Sequence, residues 1–136
     1  MSLSRMLGRR LARFLSKPRP AQAHQPTSPR EQIAATLRKG DVLLVEGTSR
    51  FSAAIKYLSQ STWSHAALYI GDHLGPAPGG TEPKVLCDVD VNDGVRLVPM
   101  SAFSSLHTRI CRPVGLTENE IDALVNFMVS RVGYSY

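Results

Sequence analysis

The sequence has few cysteines and lacks a long apolar stretch, the features that mark disulfide-rich and transmembrane proteins. Its 136 residues include only two cysteines, Cys87 and Cys111, which is too few for a disulfide scaffold. No apolar stretch reaches the roughly 18–20 residues that a membrane-spanning helix needs. The length suits one domain, and the hydrophobic share of 43% is ordinary for a globular protein. These shortages argue against a small disulfide-rich fold and against a transmembrane segment.

Basic and acidic residues are unevenly distributed along the chain. Residues 1–50 hold ten Lys or Arg against three Asp or Glu, a net of +7, whereas residues 51–136 hold six against eight, a net of −2. The basicity therefore belongs to an N-terminal extension. Because a nucleic-acid binder needs basic or aromatic residues on the domain itself, the distribution argues against a nucleic-acid partner.

The first 29 residues predict a basic amphipathic helix over 1–17 and a proline-rich linker over 18–29. Between residues 4 and 16, apolar residues recur at helical spacing and arginines fill much of the remainder. The arginines interrupt the apolar run, which is not typical of a signal peptide. Three interpretations of residues 4–16 stay open: a solvated basic tail, a helix that docks on a membrane surface or a partner, or a targeting peptide.

Residues 30–136 predict an α+β domain. Ser28, Pro29 and Glu31 are typical of a helix start, and Gly40 of its end. After Gly40, periodicity and turn residues predict the following order: a strand over 42–45, a helix over 51–59, strands over 64–70, 84–91, 94–98 and 108–112, and a helix that Thr117 caps. This order is typical of a small antiparallel sheet flanked by helices.

The candidate chemistry centres on His65, at the start of the strand over 64–70. Alternation along the strand over 84–91 places Asp88 and Asp90 on one face, among valine and leucine residues. A buried carboxylate needs a partner, and an imidazole that serves as a base must be held in one orientation by a third polar group. We therefore expect His65 to pair with one of the two carboxylates, Asp88 or Asp90.

Other uses of the cysteines and of His65 are less well supported. Cys87 falls on the apolar face of its strand, where a small buried hydrophobic residue is the simplest interpretation. A zinc site formed by His65, Cys87 and Cys111 lacks paired ligand spacing, so no metal is predicted. Trp63 and Ser64, next to His65, are candidates for the wall of a substrate cleft.

Three motifs together carry a resemblance to a known family. They are GDVLLVEG, STWSHAALYIG and VLCDVDVNDGVRLVPMSAF. Over roughly residues 38–136, the chain resembles the circularly permuted papain-like cysteine amidases and peptidases of the YiiX/YaeF type, in the NlpC superfamily. The resemblance implies a permuted papain-like α+β core. It also implies that His65 is the general base and that Asp88 orients it, with Asp90 as the alternative.

The resemblance further implies a nucleophilic cysteine late in the chain. In the family this cysteine follows a Gly-Tyr-x-Tyr-Asp-like segment, which Gly133-Tyr134-Ser135-Tyr136 matches at the last printed residues. We therefore expect the sequence to be an N-terminal fragment, with its nucleophile beyond residue 136.

Two functions follow from this interpretation. The first is a thiol hydrolase that needs no cofactor and acts on an amide or thioester, such as a cell-wall peptide or a lipid-linked acyl group. The alternative is a catalytically inactive binding module that residues 4–16 tether to a membrane or a partner.

Overall fold

The computed structural model describes residues 3–18 and 28–135 as an α+β fold with a five-stranded antiparallel sheet. Part of the predicted linker, residues 19–27, lies outside the described residues. The elements are α1 (Leu3–Leu15), α2 (Arg30–Thr36), β1 (Val42–Val45), α3 (Arg50–Ser59), β2 (His65–Tyr69), β3 (Lys84–Asp90), β4 (Gly94–Pro99), β5 (Thr108–Cys111) and α4 (Glu118–Ser130). Short 3₁₀ turns cover Pro78–Gly80 and Met100–Phe103. The sheet order is β4-β3-β2-β1-β5.

Each face of the sheet packs against different elements. On the first face, residues of β1, β2 and β3 form a core with α2 and with Met100 and Phe103 of the second 3₁₀ turn. On the opposite face, Leu68, Ile70 and Cys87 pack against Val125 of α4. Because side chains alternate between faces along a strand, a strand covered on both sides is apolar throughout, as β1 is. The strand β3 is apolar from Val85 to Cys87 and departs from this pattern at Asp88 and Asp90.

The predicted elements are confirmed to within a residue or two at most boundaries, but the start and end of α2 differ. Pro29, not Ser28, occupies the N-cap position, and no side chain caps α2 there. The helix ends at Thr36, four residues before Gly40, because Leu37 is extended and buried in the core. By contrast, Thr117 and Glu120 form the predicted capping box of α4.

Residues after α4 run along the outer edge of the sheet. The Gly133 amide donates to the Val95 carbonyl at 2.8 Å, and the Val95 amide donates to the Tyr134 carbonyl at 2.9 Å. Val95 belongs to β4, the edge strand, so these bonds satisfy backbone groups that would otherwise be unpaired. The Gly-Tyr-Ser segment therefore lies beside the β3–β4 hairpin.

Candidate active site

The register of the sheet places His65, Asp88 and Arg96 on one face. Ala67 of β2 lies opposite Asp88 of β3, and Asp88 lies opposite Arg96 of β4. His65 is two residues before Ala67 and therefore shares its face. His65 and Asp88 are consequently diagonal neighbours, a separation that long side chains can bridge.

The Asp88 carboxylate is the centre of this cluster. Its Oδ2 lies 2.8 Å from His65 Nε2. Arg96 binds it in a bidentate manner, with Nε donating to Oδ1 at 2.9 Å and Nη2 donating to Oδ2 at 3.2 Å. Asp90 does not contact His65 in this arrangement and lies 3.8 Å from Arg96 Nη2. The partner of His65 is thus Asp88, and a residue that the sequence interpretation missed, Arg96, holds it.

These contacts keep Asp88 ionised. Burial by itself raises the pKa of this carboxyl, but the hydrogen bonds from His65 and Arg96, with the positive charge of Arg96, outweigh burial and hold the pKa of Asp88 below its ordinary value. An ionised carboxylate in an apolar interior is stable only when paired in this way.

One ring nitrogen of His65 is hydrogen-bonded to Asp88, and the other has no hydrogen-bond partner among the described residues. Nε2 faces Asp88, which favours the neutral tautomer that carries its proton on Nε2. Nδ1 has no hydrogen-bond partner among the described residues, and it is therefore the nitrogen that can accept a proton. The ring also packs against Phe103, with centroids 5.6 Å apart, which restricts its rotation.

His65 lines an open cleft of about 250 Å³. The loop after β1, the start of α3, the start of β2, the end of β3 and the second 3₁₀ turn contribute to its walls. Five hydroxyl-bearing residues line it: Ser16, Thr48, Ser49, Ser52 and Ser64. Ser64 Oγ accepts a hydrogen bond from the Gly47 amide at 2.9 Å, and a Cβ at position 47 would lie 2.9 Å from the same oxygen. Glycine at this position therefore allows the loop to approach β2 closely.

Of the two candidate cleft residues, the structure places only Ser64 in the wall of this cleft. Trp63 packs instead against His107, with ring centroids 5.1 Å apart. His107 in turn contacts Glu46, with Nδ1 to Oε2 at 3.3 Å. Trp63 therefore belongs to a neighbouring cluster at the end of β1.

Neither cysteine of the described residues faces the free nitrogen of His65. Cys87 precedes Asp88 on β3, so its side chain lies on the opposite face, where its Sγ is 4.0 Å from the Met128 carbonyl oxygen. Burial and the charge of Asp88 raise the pKa of the Cys87 thiol, which opposes formation of the reactive thiolate. Cys111 lies on β5, two strands from β2 in the sheet order, roughly 10 Å away at ordinary strand spacing.

The described residues bring together no group suited to a metal. Across residues 3–18 and 28–135, no three His, Cys, Asp or Glu side chains are close enough to hold a metal ion. Among the described helices, none combines the length and apolar character needed to cross a lipid bilayer.

Arg96 was recognisable in principle from the sequence. The Asn92-Asp93-Gly94 turn predicts a hairpin, and pairing outward from Asp90 opposite Gly94 brings Asp88 opposite Arg96. A buried aspartate on an apolar strand then indicates that the arginine facing it is its partner. The pairing of Asp88 with Arg96 thus follows from the register of the two strands across the turn.

Comparison with known proteins does not identify the chain. No protein-family model matches the sequence, and a search of curated proteins gives no significant match. The interpretation of the site therefore depends on its geometry and chemistry.

Proposed function

We propose that this domain is a permuted papain-like α+β domain and that His65 and Asp88 form the base and orienting acid of a cysteine hydrolase. One observation carries the proposal. His65 Nε2 is hydrogen-bonded to a buried, arginine-bound carboxylate, while Nδ1 remains unpaired among the described residues and the ring lines an open cleft. This arrangement is typical of a nucleophile–base–orienter site from which the nucleophile is absent.

The chemistry follows from the two ring nitrogens. Nδ1 of His65 accepts the proton of a thiol, and the thiolate attacks the carbonyl carbon of an amide or thioester. The resulting imidazolium is stabilised by Asp88 and returns its proton to the departing amine or thiol, leaving an acyl-enzyme. His65 then accepts a proton from water, whose oxygen attacks the acyl-enzyme and releases the acyl group as a carboxylic acid. The imidazolium returns its proton to the leaving thiolate, which regenerates the thiol. Arg96 keeps Asp88 anionic throughout, so the carboxylate orients the ring and stabilises its charge.

The nucleophile in this proposal is a cysteine outside residues 1–136. Cys87 faces away from His65 behind its own strand, and Cys111 lies two strands away. Neither side chain reaches the cleft without rearrangement of the sheet, so a third cysteine is required for this mechanism.

The test is alkylation of the natural protein by iodoacetamide, with the labelled position mapped by mass spectrometry. We expect rapid labelling at a cysteine other than Cys87 and Cys111. At pH 6, His65→Ala should slow that labelling by about 100-fold or more, because a thiol without an imidazole partner returns to a pKa near 8.5.

His107→Ala is the matched control. His107 also contacts a carboxylate, and its side chain has the same 27% exposure as that of His65, but it does not line the cleft. The control should label at the wild-type rate. Labelling confined to Cys87 and Cys111, or equal effects of the two substitutions, would contradict the hydrolase and favour the binding module.

A further inference from the structure

Helix α1 presents an apolar face that the rest of the described molecule leaves more than half exposed. Leu7, Leu11 and Phe14 follow one another at intervals of four and three residues and so lie on one side of the helix. Their exposed fractions are 72%, 57% and 52%. Exposed apolar residues are common when they are scattered, but a contiguous stripe rimmed by polar residues is typical of an interaction site.

The other side of α1 is strongly basic. Arg5, Arg9 and Arg13 recur every four residues, and the helix has no acidic residue in its first turn. The first acidic residue of the chain is Glu31, and the 30 residues before it include seven Lys or Arg. A helix of this kind has nothing of its own to neutralise its positive charge.

Among the described residues, the hydrogen bonds and the cation–π contact between the domain and α1 lie at the C-terminal end of the helix. The Arg50 guanidinium lies 4.1 Å from the centroid of the Phe14 ring. The Arg50 amide donates to the Lys17 carbonyl at 3.4 Å, and Asn92 Nδ2 donates to Ser16 Oγ at 3.3 Å. Towards its N-terminal end, the arginine side of α1 borders a gap of about 570 Å³ that separates it from the β3–β4 turn. The helix is therefore attached to the domain without burying its apolar face against it.

We infer that α1 binds the surface of an anionic lipid bilayer, with Leu7, Leu11 and Phe14 in the headgroup–acyl boundary. A helix with an apolar stripe, a basic opposite side and low overall hydrophobicity has the form of an interfacial membrane helix. Anionic headgroups supply the charge that the uncompensated arginines lack. A protein groove would cover the apolar stripe equally well, but nothing in α1 selects it, whereas the excess of arginine without acid selects a negative surface.

Binding at α1 would bring the His65 cleft close to the bilayer. Ser16 and Pro18, which follow α1 directly, line the same cleft as His65. The inference itself stands independently of the hydrolase proposal, because it depends only on the faces of α1.

The test is flotation of the protein with vesicles made of phosphatidylcholine alone or of phosphatidylcholine mixed with phosphatidylglycerol. We expect binding to the mixed vesicles, weak binding to the neutral ones, and a loss of binding in high salt. Leu7→Gln combined with Leu11→Gln should lower the partition coefficient by about tenfold or more. Each of Arg5→Gln, Arg9→Gln and Arg13→Gln should lower it by about fivefold.

The matched control is Tyr57→Gln combined with Leu58→Gln on α3. These residues are also apolar and on a helix, with exposed fractions of 83% and 80%, and their substitution should leave binding unchanged. Because all the substituted side chains are exposed, thermal melts of the variants should match the wild type. Failure to bind the mixed vesicles would overturn the inference. Binding that survives loss of Leu7 and Leu11, or that the control lowers equally, would overturn it as well.

Discussion

Two buried aspartates of this molecule have nearly the same surroundings, but one has a structural role and the other belongs to the candidate active site. Asp41, just before β1, and Asp88, within β3, are each 1% exposed. Each is bound by one arginine through two hydrogen bonds: Arg112 binds Asp41 at 2.9 and 2.7 Å, and Arg96 binds Asp88 at 2.9 and 3.2 Å. In both carboxyls these partners outweigh burial and hold the pKa below its ordinary value.

The difference lies in the third partner. Asp41 accepts its remaining hydrogen bond from the backbone amide of Arg38 at 2.8 Å, and Arg112 also donates to the Thr36 carbonyl at 2.8 Å. These contacts join the end of α2 to β1 and β5. Asp88 instead accepts from the imidazole of His65, a potential base that lines a cleft. The arginine-bound aspartate stabilises the fold in both places. Only Asp88 also contacts an imidazole at a cleft, and this contact makes its surroundings a candidate active site.

The largest expected difference between the two aspartates is in reactivity. Asp88→Asn in the natural protein should slow alkylation of the proposed nucleophile by about 100-fold, within the ~10²–10⁴ range of general-base effects, because the amide no longer stabilises the imidazolium. The measurement is the iodoacetamide rate constant at pH 6.

Asp41→Asn is the matched substitution and should leave that rate unchanged.

A second measurement applies to the 136-residue chain itself. The ¹⁵N chemical shifts of His65 should report a proton on Nε2 in the wild type and in Asp41→Asn, and a mixture of tautomers in Asp88→Asn. Equal effects of the two substitutions would remove the functional distinction between the aspartates.

A smaller difference is expected in stability. Arg96→Ala leaves Asp88 buried with only His65 as a partner and should lower the free energy of unfolding by about 2 kcal/mol, less than the ~3–5 kcal/mol of a fully buried pair because Arg96 is partly exposed. The measurement is urea denaturation followed by circular dichroism.

Arg112→Ala should also destabilise the fold, because it leaves Asp41 with backbone contacts alone. The two variants should differ in the alkylation rate of the proposed nucleophile, since only Arg96→Ala should slow it. A stable Arg96→Ala variant with wild-type labelling would show that Arg96 is not needed to hold Asp88.

The smallest effect is the pH dependence of stability. A carboxyl whose pKa is lowered in the folded state stabilises the protein above its unfolded pKa and loses that contribution as pH falls through the folded pKa. For Asp41 and Asp88 this decline begins near the ordinary value of 3.8 and continues below it. The slope contributed by each carboxyl cannot exceed about 1.4 kcal/mol per pH unit.

Urea midpoints measured between pH 5 and pH 2 should therefore fall steadily in the wild type. Asp41→Asn and Asp88→Asn should each flatten the curve below pH 4. A curve that keeps its wild-type shape in either variant would show that the carboxyl concerned does not titrate with folding.

The sequence was sufficient for the α+β class, for most strand boundaries and for the face on which Asp88 lies. These features depend on local periodicity and turn residues, which act over a few positions. The preference for Asp88 over Asp90 came from the family resemblance, because alternation places both carboxylates on the same face. Arg96 was missed because its role appears only when two strands are paired, and Trp63 was placed in the cleft because adjacency in sequence does not reveal which way a loop side chain turns.

Tertiary structure alone decided which groups meet. The sheet register set His65 diagonal to Asp88 and Arg96 opposite Asp88. Sequence alone determined that α1 is amphipathic and basic, since helical spacing follows from residue order. Whether its apolar face is buried depended on the attachment of its end to Arg50 and Asn92, a long-range contact that no local pattern encodes.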